Sequence, residues 1–263
     1  MFSAPSTAAL TGQFPRAHNK NMESIDTELA ARIRLDIIKG VYKEGERLSE
    51  ARLCDDYDVS RTPIRLALRL LERERLLRRG EGRGYTVFSP TVQEVLQAVE
   101  VRGHLESLAA RLMAQSPDRA QHLPKMARAI GLIDEVLDEG VMDDAAKRRA
   151  QAANRTFHMA ILEGCGNDYV SYACDQISHL PMLAPGSMVF DRSSDASKVL
   201  FRLRLGNAQH QVIHESIAQG DVVRAEGMMR EHSHTMVDYI KTFERKDDSL
   251  TINDLISYSG NEI

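Results

Sequence analysis

The run Val59-Ser60-Arg61-Thr62-Pro63-Ile64-Arg65 marks the start of a helix with two different faces. Ser60 can cap this helix, and Pro63 lies in its first turn, where the missing backbone N–H costs little. Through Arg73 the apolar residues share one face: Ile64, Ala67, Leu68 and Leu71. Arginines recur every four residues on the other face, at positions 61, 65 and 69. The pattern predicts a helix that packs on one side and presents positive charge on the other.

The segments on either side of this helix predict a small domain. Upstream, isoleucine or leucine recurs every four residues from Ile25 to Ile37, which predicts a helix that stops at Gly40. A short helix is expected after Ser49, a plausible N-cap. Downstream, three glycines separate two β-prone runs, 76–79 and 85–88, which predicts a hairpin. Thr91 and Glu94 then have the spacing of a capping box, so a new helix and a new domain are expected to begin there.

Positive charge is concentrated in this first domain, although the chain of 263 residues has a formal net charge of −4. Residues 61–90 contain eight arginines and three glutamates, an excess of five positive charges. Such an excess is a plausible footprint for DNA phosphates, and the planar fork of arginine can bind phosphate or guanine at two points. A solvated arginine face on a surface helix is the alternative. The short preceding helix, the capped start and the Gly-Arg-Gly turn favour DNA binding.

Residues 24–88 resemble the winged helix-turn-helix of GntR-family transcription regulators. The resemblance rests on Glu46-Arg47-Leu48-Ser49-Glu50 and on the run 59–65. It implies that Arg61 and Arg65 contact operator DNA, with Ser60 and Thr62 assisting. Two positions depart from the family pattern: Leu66 stands where the family usually has Glu, and Ala51 stands where some members have a DNA-contacting Arg. The full set of expected DNA-binding residues is Ser60, Arg61, Thr62, Arg65, Arg52, and Arg83 and Gly84 of the glycine-rich turn.

Composition excludes several classes of protein. With 43% hydrophobic and 27% charged residues, the chain has the composition of a folded globular protein. No apolar run of about 18 residues predicts a membrane span, and no secretory signal is evident. Three cysteines are too few for a disulfide framework or a thiolate zinc cluster, which fits a cytoplasmic protein.

From Thr91 onward the apolar residues recur with the spacing of α-helices, and no segment has the alternation typical of a strand. Helices are expected near 91–115, 118–138, 143–163, 167–182, 198–219 and 221–245. The predicted fold is therefore mainly α, an N-terminal winged helix-turn-helix followed by a C-terminal all-α helical bundle. We expect a flexible tail over 1–22, a DNA-binding domain over 23–90, a helical effector domain over 91–245 and a loose tail over 246–263.

Histidines are the candidate ligands of a metal ion in the helical half. His158 shares a helix face with Asn154, His210 shares one with His214, and His232 lies on the last long helix. Neutral imidazole binds metals well, and residues from three helices can converge in a bundle core. A single histidine is more often a packed or surface residue, and spacing alone would also allow His210 and His214 to chelate a metal.

Residues 92–243 resemble the FCD ligand-binding domain of FadR-like GntR regulators. Asn154-Arg155-Thr156-Phe157-His158 is similar to its Asp-x-x-Phe-His motif, and the segment from His210 to His232 is similar to its later signature. The resemblance implies a divalent metal ion, zinc, nickel or manganese, held by Asn154, His158, His210 and His232. Asn154 brings no charge where the family has Asp. We therefore expect weaker metal binding, or a stronger dependence on an anionic effector.

A small carboxylate could supply the missing charge and oxygen donors to such a metal. Arg102, on the first helix of this domain, could clamp that carboxylate. The alternative for Arg102 is a structural salt bridge.

These observations predict a ligand-responsive transcription regulator rather than an enzyme. A homodimer would place two recognition helices on a pseudo-palindromic operator in double-stranded DNA, and a small carboxylate would relieve repression. The alternative is that the regulator activates transcription. A metal-dependent enzyme acting on a small carboxylate is the rival function, but no general base stands in a zincin-type motif. A ligand-binding or scaffolding protein with a vestigial DNA domain is the third possibility.

Overall fold

A computed structural model describes residues 25–38, 40–80, 84–88, 91–178, 183–188, 190–191, 195–244 and 256–257. Within these ranges the fold is mainly helical, as predicted, with a winged helix-turn-helix followed by a helical bundle. The first unit contains α1 (Ile25–Ile38), β1 (Arg47–Leu48), α2 (Glu50–Tyr57), α3 (Arg61–Arg73), β2 (Leu77–Arg79) and β3 (Tyr85–Val87). The second contains α4 (Val92–Gln115), α5 (Leu123–Glu139), α6 (Asp144–Gly164), α7 (Asp168–Ile177), β4 (Phe190–Asp191), α8 (Ala196–Gln219), α9 (Val222–Glu244) and β5 (Ile256–Ser257).

The amphipathic helix predicted from the run 59–65 is α3. Its four predicted core residues are all buried: Ile64, Ala67, Leu68 and Leu71. Ser60 is its N-cap residue, but the Ser60 side chain makes no capping hydrogen bond. The predicted hairpin is also confirmed, since β2 pairs antiparallel with β3. β1 adds to the other edge of β3, which gives the order β1-β3-β2.

Two local hydrogen bonds define the ends of α2 and so the turn that leads into α3. Ser49 caps α2, as predicted, because its side chain accepts a hydrogen bond from the backbone N–H of Arg52. At the other end Asp58 adopts a left-handed conformation with φ of 53°, and its N–H donates to the carbonyl of Cys54. Asp tolerates this conformation better than most residues. The sharp stop lets α3 start three residues later at a new angle.

The bundle is organised around α4, which packs against α9, α6, α7 and α8. The capping box predicted at its start is present: Thr91 and Glu94 satisfy each other's backbone N–H groups. Gly103 lets α9 approach closely, because a Cβ there would lie 2.7 Å from the Cβ of Ser233. No helix of the described ranges is long and apolar enough to cross a membrane.

Helix boundaries in the second unit differ from prediction at two places. A 3-10 turn over Arg119–Gln121 precedes α5, which therefore starts later than expected. α7 ends at Ile177, and the predicted continuation to 182 lies outside the described residues after 178.

The expectation of no strand after Thr91 was wrong, since β4 pairs antiparallel with β5. Strands of two residues are too short to produce an alternating sequence signal. Apart from β5, the two predicted tails lie in ranges that the structure does not describe.

One buried apolar cluster continues from the winged helix-turn-helix into the bundle. We call it the interdomain cluster. It joins residues of α1, α2, α3 and the sheet to residues of α4 and α9 and to three residues of connecting segments, Tyr42, Leu76 and Leu183. Representative members are Leu29, Ile33, Leu77, Val87, Val95, Val99, Leu183 and Ile240. The two units therefore share part of their hydrophobic core, while the rest of the bundle has cores of its own.

Candidate DNA interface and candidate metal centre

The arginine face of α3 is exposed, as the pattern predicted. Arg61, Arg65 and Arg69 all lie on the solvent side of the helix. Ser60 and Thr62 are exposed at its first turn, where backbone N–H groups also point outward. Arg65 donates from Nε to Oε2 of Glu50 at 2.8 Å. An ion pair this exposed contributes at most about 1 kcal/mol, so a DNA phosphate or base could replace Glu50 as the partner of Arg65.

Other basic residues of the first unit make contacts within the protein. Arg52 donates to Oε1 of Glu46 at 2.6 Å. Arg78 lies over the ring of Phe88 at 3.5 Å and is also 3.5 Å from a carboxylate oxygen of Glu94. Arg78 therefore connects the β2–β3 hairpin, the wing of this domain, to α4. Part of the local positive charge thus makes contacts within the protein.

The glycine-rich turn is described only at its edge. Gly84 has a φ of +134°, and a Cβ there would lie 3.1 Å from the carbonyl of Leu48, so the position requires glycine. Arg83, the expected tip of the wing, lies outside the described residues.

Three histidines from three helices meet inside the bundle. His158 of α6, His210 of α8 and His232 of α9 have ligand atoms that all lie within 4.8 Å of one another. The Nε2 atoms of His210 and His232 are 3.2 Å apart. We call this group the histidine triad. Its members are the three histidines predicted from the sequence, and they could hold a metal ion.

Side-chain amides fix the tautomers of two of these imidazoles. Asn207 donates its amide N–H groups to the Ile130 carbonyl and to Asp134, which turns its Oδ1 toward Nδ1 of His210 at 3.4 Å. Gln209 likewise accepts from Nδ1 of His232 at 2.9 Å. With both Nδ1 atoms protonated, the facing Nε2 atoms carry lone pairs, a repulsive arrangement that a cation between them would relieve.

The pKa values favour the neutral form that metal binding requires. Burial and the neighbouring His158 lower the pKa of His232 to about 3. Burial and the other two imidazoles hold the pKa of His210 well below its usual range. Both rings are therefore neutral at pH 7, with a lone pair available on Nε2.

His158 is oriented by a buried acid that the sequence analysis did not single out. Its Nδ1 lies 3.3 Å from Oε1 of Glu106, and its Nε2 has no hydrogen-bond partner among the described residues. A carboxylate behind a histidine is a common support for a metal ligand. Burial raises the pKa of Glu106, but His158 and Arg102 lower it more, and it falls to about 2.

Arg102 is 4% exposed and makes protein contacts in this structure. Its Nε lies 3.9 Å from Oε1 of Glu106, one turn further along α4. Its Nη1 donates to the carbonyl of Ala184 at 3.0 Å. The salt bridge considered as an alternative is therefore present, and the role of Arg102 as an effector clamp stays a prediction.

Asn154, the fourth predicted ligand, faces the same cavity one turn before His158. Its Nδ2 donates to the carbonyl of Gly186 at 2.6 Å, which leaves its Oδ1 for a second contact. The cavity has a volume of about 100 Å³, enough for several waters or a small ligand. Besides Asn154 and the histidine triad its lining includes Arg102, Glu106, Arg202, Gln209, Thr235 and Tyr239.

The sequence analysis did not single out three polar residues of the site: Glu106, Asn207 and Gln209. Glu106 could have been found, because it lies four residues after Arg102 and so shares its helix face. Asn207 and Gln209 have no comparable signal. Their importance comes from contacts with α5 and α9, which are distant in sequence.

Comparison with known families assigns both parts of the chain. Residues 26–87 match "Bacterial regulatory proteins, gntR family", and residues 97–235 match "FCD domain".

Similar proteins extend over much of the chain. An HTH-type transcriptional regulator of Bacillus subtilis, YdhC, is 28% identical over 144 residues, 55% of this chain and 62% of its own length. The HTH-type transcriptional repressor GlaR of Escherichia coli is 28% identical over 217 residues, 80% of this chain and 92% of its own. The chain thus spans a little under two thirds of the first of these relatives and most of the second.

Two solved structures share the fold at low identity. Escherichia coli McbR/YncC aligns with a TM-score of 0.59 and 16% identity over 84% of this chain and 99% of its own. A GntR regulator from Rhodococcus sp. RHA1 aligns with a TM-score of 0.54 and 22% identity over 82% and 97%. At these identities the likeness concerns the fold.

Proposed function

Since this chain belongs to the GntR family of DNA-binding transcription regulators and carries the FCD domain of its FadR-like branch, we propose that it is a repressor released from its operator by a small carboxylate. The observation that carries the proposal is the histidine triad, which lines the same cavity as Arg102. Some of the similar proteins, GlaR among them, are named repressors, which supports repression rather than activation. Binding to an operator would place the chain in the bacterial cytoplasm.

Operator binding would use the exposed face of α3. Its first turn presents Ser60, Arg61, Thr62 and Arg65 together, as a helix that leads into the major groove requires. Arg52, Gly84 and Arg83 complete the proposed DNA-binding set. A homodimer would place two such helices on the two halves of a pseudo-palindromic site.

Replacing Arg65 with alanine is expected to weaken operator binding by about 1–3 kcal/mol if Arg65 contacts a base. Fluorescence anisotropy with a labelled promoter fragment, at several salt concentrations, measures the loss. Arg128→Ala is the matched control, because Arg128 is an exposed arginine on α5, away from the recognition helix. Equal affinity of the Arg65 variant and wild type would remove Arg65 from the DNA-binding set.

The metal ion would be held by Asn154, His158, His210 and His232, and the donor set fits it. Two neutral imidazoles face each other with lone pairs, and the third has a buried Nε2 without a hydrogen-bond partner among the described residues. A divalent ion, zinc, nickel or manganese, would supply positive charge and free coordination positions for a carboxylate. Arg102 would bind the same carboxylate from α4, in exchange for part of its present contacts.

Asn154→Asp is expected to tighten zinc binding, because a carboxylate adds a negative charge to a site of otherwise neutral ligands. Titration calorimetry of the full chain measures the dissociation constant. Asn167→Asp is a suitable control, since Asn167 is an exposed cap residue of α7. Zinc binding that is unchanged or weaker in the Asn154 variant would argue against Asn154 as a ligand.

The family is one of transcription regulators, so the triad is not assigned to an enzyme.

Native mass spectrometry of the purified chain tests the proposed effector class directly. A divalent metal together with a small carboxylate is the expected content. Operator affinity that does not change when that carboxylate is added back would overturn the proposed regulation. Failure to bind promoter DNA even in dilute buffer would favour a ligand-binding or scaffolding protein.

A further inference from the structure

A short loop segment connects the cavity with the interdomain cluster. It runs over residues 183–188, and we call it the strap. At one end Leu183 is buried in the cluster that the DNA-binding unit shares with the bundle. Further along, the carbonyls of Ala184 and Gly186 accept hydrogen bonds from Arg102 and Asn154, two residues of the cavity wall. The strap therefore joins the wall of the proposed sensor cavity to the buried cluster that the two units share.

The strap is pressed tightly against α6. Gly186 has a φ of +68°, and a Cβ there would lie 2.8 Å from the Cα of Arg155 and from the carbonyl of Asn154. Gln151 holds two points of the strap, since it donates to the Gly186 carbonyl and accepts from the N–H of Met188 at 2.7 Å. The backbone N–H of Ser187 donates to the carbonyl of Ala184 at 3.0 Å, so a compact turn separates Leu183 from the contacts of Gly186 and Met188.

The amide of Asn154 gives this position a function that a carboxylate cannot have. An amide donates through its nitrogen and accepts through its oxygen, whereas an ionised carboxylate only accepts. An Asp here could not donate to the Gly186 carbonyl and would place two acceptors against each other. The Asn that departs from the family pattern therefore allows one side chain to bind the strap and still offer an oxygen to the cavity.

We propose that the strap transmits the state of the cavity to the DNA-binding unit and that Asn154 is the positioning residue that couples them. The inference rests on the proposed function, because both strap anchors are residues assigned there to the metal or the effector. Loading the cavity changes the contacts of Asn154 and Arg102, and with them the hold on the Ala184 and Gly186 carbonyls. The strap then favours a different position of Leu183 within the interdomain cluster. That change in the shared core shifts the equilibrium between two arrangements of the DNA-binding unit.

Hydrogen exchange of the full chain with and without zinc chloride tests this coupling. In the wild type, zinc is expected to change the exchange rates of amides in the strap, in α1 and in β3 by about fivefold or more. Leu183→Ala should bind zinc with an affinity within about twofold of wild type, because Leu183 is not a cavity residue. In that variant the strap still responds to zinc, but α1 and β3 no longer do. Leu132→Ala, at an exposed leucine of α5, is the control and should respond as wild type does.

Two further variants keep the test decisive. Leu183→Val removes one methylene group and should retain the fold with a reduced response in α1 and β3. Asn154→Asp should bind zinc more tightly than wild type, while the strap, α1 and β3 lose their response. Tight zinc binding together with lost coupling is the signature that a purely structural role of Asn154 would not produce.

The outcomes separate the coupling from the metal site. Zinc bound by the wild type without any change in α1 or β3 overturns the strap as a transmitter and leaves the metal site standing. A full wild-type response in both Leu183 variants overturns it as well. A wild-type chain that takes up no zinc overturns the proposed metal site and the coupling together.

Discussion

Replacing His210 with alanine is expected to raise the zinc dissociation constant at least about 100-fold. Structural zinc sites with four ligands bind with about 10–16 kcal/mol, so the loss of one ligand removes roughly 3 kcal/mol. His210 is the central member of the histidine triad, with its Nε2 3.2 Å from that of His232. Titration against a competing chelator measures the change over the range required.

His214 provides the matched control for His210. It lies one turn further along α8, and the described triad does not include it. The spacing of His210 and His214 would allow a chelating pair, but the structure instead joins His210 to histidines of two other helices. We therefore expect His214→Ala to bind zinc as wild type does. A large loss in the His214 variant with a small loss in the His210 variant would contradict the site.

Replacing Glu106 with alanine is expected to lower the free energy of unfolding by about 3–5 kcal/mol, because it leaves a buried positive charge without its partner. Glu106 is 2% exposed, and its carboxylate lies between Arg102 and His158. Urea unfolding followed by circular dichroism measures the loss.

The isosteric variant Glu106→Gln separates packing from charge in this prediction. It preserves the volume of the side chain but removes the negative charge beside Arg102. Both variants should therefore be destabilised, the alanine variant more because it also leaves a cavity. Glu163→Ala, at an exposed acid of α6 that pairs with Lys125, should cost no more than about 1 kcal/mol. An unfolding curve of Glu106→Ala that overlays wild type would show that this buried carboxylate is dispensable.

The sequence was sufficient where local periodicity carries the information. The two faces of α3 follow from residues three and four positions apart, and the capping box of α4 follows from Thr91 and Glu94. The three histidines of the triad were also predicted, although their convergence depends on the packing of three helices. It was the family resemblance that selected them from nine histidines.

The supporting contacts of the site could not be predicted in the same way. The strap meets α4 and α6 across 32 to 82 residues of sequence. Asn207 orients His210 only because α5 brings Ile130 and Asp134 to its amide. Such contacts depend on the final arrangement of the helices, and no local pattern encodes them. Glu106 is the exception, because its spacing from Arg102 could be read directly.

The interdomain cluster also limits how this protein can be recombined. A chimaera made by joining residues 1–90 to a foreign sensor would leave the first turns of α4 and the end of α9 behind. The transplanted DNA-binding unit would then expose the apolar surface that Val95, Val99 and Ile240 now cover. A graft that keeps the first two turns of α4, and matches the volumes of Leu183 and Ile240 in the new host, is the design that this architecture permits.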